Sequence, residues 1–590
     1  MRWLEAEPPK IPVLERESDY PPMAVSLTTT LVNRTGSWRI FRPIYDNKLP
    51  PCNAECPASE KIQAYLDLME QKRFLEGYQL ILENNPFPSI TGRVCYHPCE
   101  GVCNRKEFDE AIGIHNIERF LGDYGLSKAP RPTPAVQRPD QVCIIGSGPA
   151  GMTAAWYLAL RGYPVTILEA APQSGGMLRL GIPEYRLPKT VLDKEFRKLK
   201  ALGVKIRTNT RVVAQGSGAK GQGSGVRGRG SEVRLDDLRR QYSIILFAHG
   251  AHQSRELGVP GQEAKGVMTG LEFLAQINLG KRPRIGKRVA VIGGGNTAID
   301  AARSALRLGA EPRILYRRTR AEMPAVADEI EEALREGIPI DFLVAPVRVI
   351  RSRGRASGME LMRMKLGKPD ESGRRRPVPV KGSNFRLKLD TILTAIGEQV
   401  ELGFLGADVP ATGWAVSADR WGRTKVSGIY AAGDCVTGPK TVVEAIGMGR
   451  RAALVIDAHV TQQPIEEEMG SGVGGQGKKE VTQYVNINSA YFEHATRKPM
   501  PALDLKARRR NFREVHLGYL ANDAVEESAR CFSCGVCDRC DNCYVFCPDM
   551  SVLKIEDHYE YDYDFCKGCG VCAKECPRYA ITMIEERQAT

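Results

Sequence analysis

The sequence has no run of 18 or more apolar residues among its 590 positions, which excludes a membrane-spanning helix. Its first residues, Met1-Arg-Trp-Leu-Glu, are charged and lack an apolar stretch, so no signal peptide is indicated. Aromatic residues make up only 7%, and no stacking motif accompanies the basic clusters, which disfavours nucleic-acid binding. We therefore expect a cytoplasmic protein with several globular domains.

The formal charge of +13 is scattered over short clusters, such as residues 374–376 and 508–510. Solvated loops explain such clusters. The alternative is a docking face for an acidic redox protein, because opposite charge speeds encounter without a large interface.

Cysteine is abundant, and most of the 17 cysteines stand in C-x2-C and C-x3-C spacings. In a large chain without a secretion signal, this pattern favours metal ligation over disulfide bonds.

The pattern changes along the chain and predicts an α/β protein with two Rossmann-like dinucleotide-binding domains. Between residues 141 and 459, short β-branched runs alternate with helical patterns, as in parallel sheets built from βαβ units. Glycine-rich stretches at 215–230 and 470–477 indicate a surface loop and a flexible linker. The predicted boundaries are 1–137 for a helical cysteine-bearing domain, 138–285 and 390–462 for the first dinucleotide domain, 286–389 for the second, 463–535 for a linker with a helical segment, and 536–590 for a cysteine-rich α+β domain.

A first glycine motif, at 146–151, directly follows a buried-strand pattern and opens an apolar helix. Its three glycines make a tight turn, admit a pyrophosphate and permit close helix packing, while the helix N-terminus attracts the anion. An acid at the end of the next strand pattern can accept hydrogen bonds from both ribose hydroxyls. The cofactor-binding residues predicted here are Gly146, Gly148, Pro149, Ala150, Gly151 and Glu169.

A second motif follows the strand pattern at 288–292 and has alanine in the third glycine position. Where the first motif has an acid, this one has Arg317 and Arg318, whose guanidinium groups can hold a 2'-phosphate. We expect NADP(H) rather than NAD(H), with solvated arginines at a strand end as the alternative. The other cofactor-binding residues predicted here are Gly293, Gly295, Asn296, Thr297 and Ala298.

The run 428–435, Gly-Ile-Tyr-Ala-Ala-Gly-Asp-Cys, resembles a signature of flavoproteins with two dinucleotide-binding domains. A disulfide reductase of that superfamily needs a cysteine pair beside the flavin, but only Cys143 and Cys435, both isolated, occur from 141 to 459. The resemblance therefore implies FAD without a redox-active disulfide. The implied FAD contacts are Gly433, Asp434, Thr441, Val442 and Ala445.

Two longer runs, at 92–103 and 175–188, resemble signatures of the glutamate synthase small-subunit family, and the resemblance covers roughly residues 40–460. It implies further FAD contacts at Gly176, Met177 and Arg186. No amidotransferase or FMN-barrel segment is present, so we do not expect glutamate synthesis itself.

The C-terminal cysteines repeat the two-cluster bacterial ferredoxin pattern, in which the fourth cysteine of each run binds the other cluster. This predicts a ferredoxin-like domain with two 4Fe-4S clusters. Zinc is the alternative, but zinc sites have no need of this interleaving. The predicted ligand sets are Cys537, Cys540, Cys543 and Cys576, and Cys566, Cys569, Cys572 and Cys547.

Five N-terminal cysteines occupy positions that the family uses for two 4Fe-4S clusters, which implies a helical iron-sulfur domain. By the resemblance, Cys56, Cys95, Cys99 and the carboxylate Glu118 hold one of them. The other would use Cys52 and Cys103 with an upstream C-x2-C pair, yet residues 42–49 contain no cysteine.

The missing pair has a candidate near the C-terminus. Residues 512–519 and 526–535 resemble the segment that precedes the first N-terminal cysteines in the family. We therefore expect Cys531 and Cys534 to complete a cluster with Cys52 and Cys103. An unused or zinc-binding pair is the alternative.

Together, these features imply an NAD(P)H:acceptor oxidoreductase in which FAD converts hydride chemistry into one-electron transfer through 4Fe-4S clusters, two of ferredoxin type and one or two at the N-terminus. Hydride transfer requires no acid or base, so no catalytic residue is named.

The layout is most similar to the flavoproteins associated with dissimilatory sulfite reductase. Relatives serve 2-oxoacid:ferredoxin oxidoreductases and aromatic acyl-CoA reductase systems. The implied partner is a ferredoxin, a sulfite reductase or a subunit of such a complex, and we expect an oligomer. A non-enzymatic electron-storage scaffold, the alternative, would not need two complete dinucleotide sites.

Overall fold

The computed structural model describes residues 34–130, 132–214, 230–371, 373–406, 409–465 and 479–586. The loop predicted at 215–230 lies outside these residues except for Gly230, and the linker predicted at 470–477 lies outside them entirely. Within the described part of the chain, no helix is long and apolar enough to cross a membrane.

The N-terminal domain consists of a short strand followed by helices: β1 (Phe41–Tyr45), α1 (Pro51–Glu55), α2 (Ile62–Glu70), α3 (Phe74–Leu82), α4 (Pro88–Val94), α5 (Pro98–Gly101) and α6 (Ile114–Lys128). Three of them begin with proline, which has no N–H to leave unpaired there. Helices α4 and α6 pack closely because Gly122 has no side chain. A Cβ added to Gly122 would lie only 2.3 Å from the backbone nitrogen of Ser89. This contact sets Cys95, just after α4, beside Glu118 on α6.

The first dinucleotide domain begins with β2 (Val142–Ile145), α7 (Pro149–Leu160), β3 (Val165–Leu168), α8 (Gly176–Leu180), α9 (Lys189–Ala201), β4 (Lys205–Arg207), β5 (Thr210–Val213), β6 (Ser231–Arg234), α10 (Leu235–Gln241), β7 (Ile244–Phe247) and β8 (Gln253–Ser254). All four residues of β2, β3 and β7 are buried, as expected for strands covered on both faces.

The second dinucleotide domain comprises β9 (Val267–Thr269), α11 (Gly270–Asn278), β10 (Arg288–Ile292), α12 (Asn296–Arg307), β11 (Glu311–Tyr316), α13 (Ala327–Arg335), β12 (Ile340–Phe342), β13 (Val344–Ser352), β14 (Arg355–Pro369), β15 (Arg375–Pro379), β16 (Phe385–Lys388) and β17 (Thr391–Thr394). Strand β18 (Glu398–Gln399) follows and pairs with β8. The parallel sheet of the second domain has the order β12-β11-β10-β17-β9, and β13 to β16 form an antiparallel sheet. The predicted boundaries of 286–389 are too narrow, because β9 and β17 lie outside them and pair within this sheet.

The chain then returns to the first domain with β19 (Ile429–Ala431), α14 (Asp434–Thr437) and α15 (Val442–Thr461). This completes a parallel sheet of order β19-β7-β2-β3-β4. The prediction of two Rossmann-like domains is thus confirmed.

The last region contains α16 (Leu505–Arg508), α17 (Ala521–Ala529), α18 (Asn542–Val545), β20 (Val552–Lys554), β21 (Tyr559–Tyr561), α19 (Val571–Lys574) and β22 (Ile581–Glu585). Strand β22 pairs antiparallel with β1, so the ferredoxin-like domain shares a sheet with the N-terminal region.

Residues 479–535, which we call the linker segment, run across three other domains. Arg508 pairs with Glu332 of the second dinucleotide domain. The Val515 nitrogen donates to the Tyr185 carbonyl of the first domain at 2.9 Å. Glu514 accepts from Arg93 of the N-terminal domain at 2.7 Å.

Candidate functional site

The residues predicted to bind FAD converge at the carboxyl end of the first parallel sheet. A Cβ on Gly176 would lie 2.8 Å from the Gly148 Cα, and one on Gly433 would lie 2.8 Å from the Ala150 Cβ. A Cβ on Gly148 would itself meet no atom within 4 Å. The loop therefore leaves open space at the start of α7, which fits the pyrophosphate of a dinucleotide.

Two carboxylates flank this loop. Glu169 is buried and accepts hydrogen bonds from the nitrogens of Ser147 at 3.0 Å and Ala171 at 2.8 Å. Asp434 accepts from the Lys440 nitrogen at 3.2 Å, and burial raises the pKa of Asp434 to about 7. Glu169 therefore lies against the glycine loop, and Asp434 lies against the residues just before α15.

The other FAD contacts implied by the sequence lie at nearby helix starts. Pro149 is the first residue of α7, and Gly151 packs against the Gly146 carbonyl. Met177 is in the first turn of α8. Thr441 caps α15 through a reciprocal bond pair with Glu444, and Val442 and Ala445 lie in its first turn.

The sequence interpretation missed His249, which follows β7 beside the first glycine loop. A Cβ on Gly146 would lie 2.9 Å from the His249 Cα. Both ring nitrogens of His249 are buried and have no hydrogen-bond partner in the described part of the chain. Burial lowers its pKa to about 4, so the ring is neutral near pH 7. Its place at the carboxyl end of a strand pattern was the signal that could have found it.

The second glycine motif forms a similar loop. Gly293 has φ of 144°, and a Cβ there would lie 2.0 Å from the Ala395 carbonyl oxygen, so only glycine fits. A Cβ on Gly295 would meet nothing within 4 Å. Asn296 begins α12, and its amide donates to the Tyr96 hydroxyl at 2.7 Å. Thr297 and the buried Ala298 follow, and the loop again leaves room for a pyrophosphate.

The three arginines predicted to touch cofactors have different surroundings. Arg317 is exposed at the carboxyl end of β11. Arg318 is buried and donates to Asp370 at 2.6 Å and to the Arg375 carbonyl at 2.7 Å. Its guanidinium is thus used within the protein.

Arg186 joins the two dinucleotide domains. Its guanidinium lies 2.8 Å from Asp300 on α12 and 2.8 Å from Glu329 on α13. Opposite charges at these distances account for the guanidinium's position. Arg186 therefore fixes how the second domain sits on the first.

The eight cysteines of the ferredoxin-like domain surround two pockets. Each pocket mixes the two cysteine runs, as the interleaved pattern predicts. The first is lined by Cys537, Cys540, Cys543 and Cys576, and the second by Cys547, Cys566, Cys569 and Cys572.

The N-terminal domain has two further pockets. One of these pockets is formed by residues from both ends of the chain. Helix α17 packs on α2 and so brings Cys531 and Cys534, which we call the linker cysteines, to the N-terminal domain. The ligand candidates of this pocket are Cys52, Cys103, Cys531 and Cys534, and those of the other are Cys56, Cys95, Cys99 and Glu118.

These donors fit iron-sulfur clusters better than free thiols. All 17 cysteines are free of disulfides. Burial raises the pKa of Cys52, Cys56 and Cys99 well above the ordinary thiol value, so thiolates there need a metal to stabilise them. Burial also raises the pKa of Glu118, which accepts from Asn85 at 3.0 Å.

Glu60 is a second buried carboxylate of the Glu118 pocket, and the sequence interpretation missed it. It accepts from the same Asn85 amide at 2.8 Å, and burial raises the pKa of Glu60 to about 7. The two remaining cysteines, Cys143 and Cys435, are fully buried in an apolar core, which fits packing thiols.

Comparison with known families divides the chain in the same way. Residues 140–449 match the model for pyridine nucleotide-disulphide oxidoreductase. Residues 45–129 match that for dihydropyrimidine dehydrogenase domain II with a 4Fe-4S cluster, and residues 559–582 match a 4Fe-4S binding domain.

Three curated relatives cover most of the chain. The NADP(+)-dependent formate dehydrogenase subunit beta of Moorella thermoacetica is 40% identical over 82% of this chain and 70% of its own length. The NADPH-Fe(3+) oxidoreductase subunit beta of Geobacter sulfurreducens is 37% identical over 83% and 75%. The glutamate synthase [NADPH] small chain of Escherichia coli is 32% identical over 68% and 87%.

The family match over residues 140–449 covers more than half of the chain. The matched segment contains only the packing thiols Cys143 and Cys435, and therefore no cysteine pair for disulfide chemistry. The oxidoreductase module therefore works with a pyridine nucleotide, FAD and 4Fe-4S domains. The chain belongs to the pyridine nucleotide-disulphide oxidoreductase family, as a member similar to the glutamate synthase small chain.

Proposed function

We propose that the protein transfers electrons between NADP(H) and a one-electron protein partner, with FAD and four 4Fe-4S clusters in its own chain. The observation that carries this proposal is that the four pockets lie in series. Val443 lines the Glu118 pocket and directly follows Val442, at the start of the helix beneath the predicted flavin site. Ile114 lines both N-terminal pockets.

The series continues into the ferredoxin-like domain. Arg578 lines the first ferredoxin pocket and donates to the carbonyl of Phe532, which lines the pocket of Cys531 and Cys534. Tyr45 of the first ferredoxin pocket stacks on Tyr561 of the second, with ring centroids 4.8 Å apart. Without the linker cysteines, the series would be interrupted between α15 and this domain.

FAD, when bound, exchanges two electrons with a nicotinamide and single electrons with the clusters. The protein residues hold the groups and keep water out. Arg186 fixes the orientation of the second dinucleotide domain through Asp300 and Glu329. Buried cysteines and apolar neighbours surround the N-terminal pockets, which lowers the local dielectric and tunes the clusters they would hold.

NADP(H) is the proposed nucleotide, through Arg317. The names of the Moorella and Geobacter relatives, which refer to NADP(+) and NADPH, support this choice. Both relatives are named as beta subunits, which supports a role as the electron-transfer subunit of a larger assembly. We also propose a cytoplasmic setting, since cluster assembly needs the reduced thiols that the cytosol maintains.

For the partner, we propose a dissimilatory sulfite reductase, as for DsrL-type flavoproteins, on the basis of the sequence resemblance. The alternatives are a formate dehydrogenase, by similarity to the Moorella protein, and a 2-oxoacid:ferredoxin oxidoreductase or an aromatic acyl-CoA reductase.

Anaerobic titration with NADPH tests the proposal. We expect the visible absorbance of flavin and clusters to fall together, and a one-electron acceptor to restore it. In Cys531→Ser/Cys534→Ser, the flavin should still bleach while reduction of cytochrome c is largely lost. Cys143→Ala, which removes a packing thiol, is the control. A wild-type flavin that NADPH does not bleach would support the electron-storage scaffold instead.

A further inference from the structure

An unusual number of apolar side chains face solvent on the ferredoxin-like domain. Val545 is 67% exposed and Met550 is 79% exposed. Six large apolar residues are exposed within twelve positions: Tyr544, Val545, Phe546, Met550, Leu553 and Ile555. We call these six residues the ferredoxin apolar patch. Apolar groups concentrated in this way mark interaction sites more often than single exposed residues do.

The ferredoxin apolar patch lies next to the end of the pocket series. Residues 544–546 stand between Cys543, which lines the first ferredoxin pocket, and Cys547, which lines the second. Helix α18, which ends at Val545, packs against β20, which contains Leu553. Cys569 of the second pocket is exposed. A protein seated on the patch would therefore lie close to both ferredoxin pockets.

The surroundings of the patch are acidic, although the chain as a whole is basic. Residues 536–586 contain eleven Asp and Glu residues but only five Lys and Arg residues. Three of the five basic side chains are paired: Lys554 with Asp541 at 2.8 Å, Lys567 with Asp549 at 3.3 Å, and Arg578 with Asp538. Glu556 and Asp557 directly follow the patch and are exposed.

One arginine of each basic cluster noted in the sequence is used within the protein. Arg508 pairs with Glu332, and Arg375 pairs with Glu322 at 2.6 Å. These two contacts leave fewer unpaired arginines for the basic docking face that the sequence offered as an alternative. The negative charge lies where the pocket series reaches the surface.

We propose that the ferredoxin apolar patch docks a one-electron redox protein whose own redox group lies in an apolar centre ringed by Lys and Arg. The apolar contact would supply affinity, and the opposite charges would speed encounter and fix orientation. This inference rests on the proposed function and adds the site of exchange and the charge of the partner.

Cytochrome c, a small basic one-electron acceptor, is the probe. Val545→Lys/Met550→Lys introduces two positive charges into the patch. Val136→Lys, at a residue 90% exposed in the stretch before the first dinucleotide domain, is the matched control. With NADPH as donor, we expect the patch variant to raise the KM for cytochrome c about tenfold and the control to leave it unchanged. Rising salt should lower the wild-type kcat/KM, because it screens the attraction.

Ferricyanide separates this inference from the proposed function, because a small acceptor needs no docking surface. Equal ferricyanide reduction by all three proteins, with the KM for cytochrome c raised only in the patch variant, supports docking at the patch. Intact ferricyanide reduction with an unchanged KM for cytochrome c would overturn the inference alone. Loss of ferricyanide reduction in wild type would overturn the proposed function. A change of oligomeric state in the patch variant, seen by light scattering, would reassign the patch to self-association.

Discussion

Arg317 and Arg318 are neighbours in sequence, but only one is available to a nucleotide. Arg318 is buried against Asp370, whereas Arg317 is exposed beyond β11. We expect Arg317→Ala to weaken NADPH binding about tenfold and to leave NADH binding unchanged, because a charge-assisted bond to the 2'-phosphate contributes about 1.5–3 kcal/mol. Isothermal titration with both nucleotides measures the difference.

Arg318→Ala is the contrasting variant. It leaves the Asp370 carboxylate without this partner, so we expect a loss of about 1–3 kcal/mol in the free energy of unfolding. Any weakening of NADPH binding by this variant should then equal the weakening of NADH binding. An Arg317→Ala protein that loses both nucleotides equally, or a wild type that prefers NADH, would contradict the role of Arg317.

His249 has two buried ring nitrogens that lack a partner in the described chain, which costs stability unless a ligand supplies one. We expect His249→Leu to hold FAD about tenfold more weakly while the FAD-free protein becomes no less stable. His249→Asn, which keeps a donor and an acceptor, should recover part of the affinity. Fluorescence of released FAD measures binding, and thermal unfolding measures stability. Unchanged FAD affinity in the leucine variant would show that the ring binds something else.

At the level of elements, α17 decides whether the linker segment can complete an iron-sulfur site. The helix packs on α2 and delivers Cys531 and Cys534 to the pocket of Cys52 and Cys103. We expect Cys531→Ser/Cys534→Ser to lower the iron content by about four atoms per chain, since two thiolates rarely retain a cubane cluster. Cys52→Ser/Cys103→Ser should lose the same iron, and the quadruple variant should lose no more.

The ferredoxin pockets provide the internal control, because their eight cysteines are intact in these variants. Their spectroscopic signals should persist. Additive iron losses between the two double variants, or unchanged iron in the first, would assign Cys531 and Cys534 another purpose.

At the scale of the whole molecule, four pockets and one FAD site predict the cofactor content. Purified under anaerobic conditions, the protein should contain one FAD and about 16 iron atoms per chain, four for each cluster. Iron analysis and flavin extraction measure both. A measured value of about 12 iron atoms per chain would mean that the pocket containing the linker cysteines holds no cluster.

The local features follow from the amino-acid sequence alone. Both glycine loops and the ferredoxin cysteines follow from short-range geometry: a turn that only glycine can make, a strand that leads into a helix, and ligands spaced to fit a cubane. Residue type alone explains Gly293, because a Cβ added there would collide with Ala395. Spacing alone predicts that the interleaved cysteine runs share their pockets.

Which distant groups meet depends on how the whole chain packs. Asn104 donates to the Cys534 sulfur from 430 positions away, and no local rule foretells that contact. The Asp370 carboxylate accepts a hydrogen bond from the Arg318 guanidinium. Strands β9 and β17 extend the second parallel sheet beyond the segment that contains its glycine motif. The physical reason is shared: ion pairs, strand partners and buried neighbours depend on how remote segments pack, and the same residues in a different packing would have different partners.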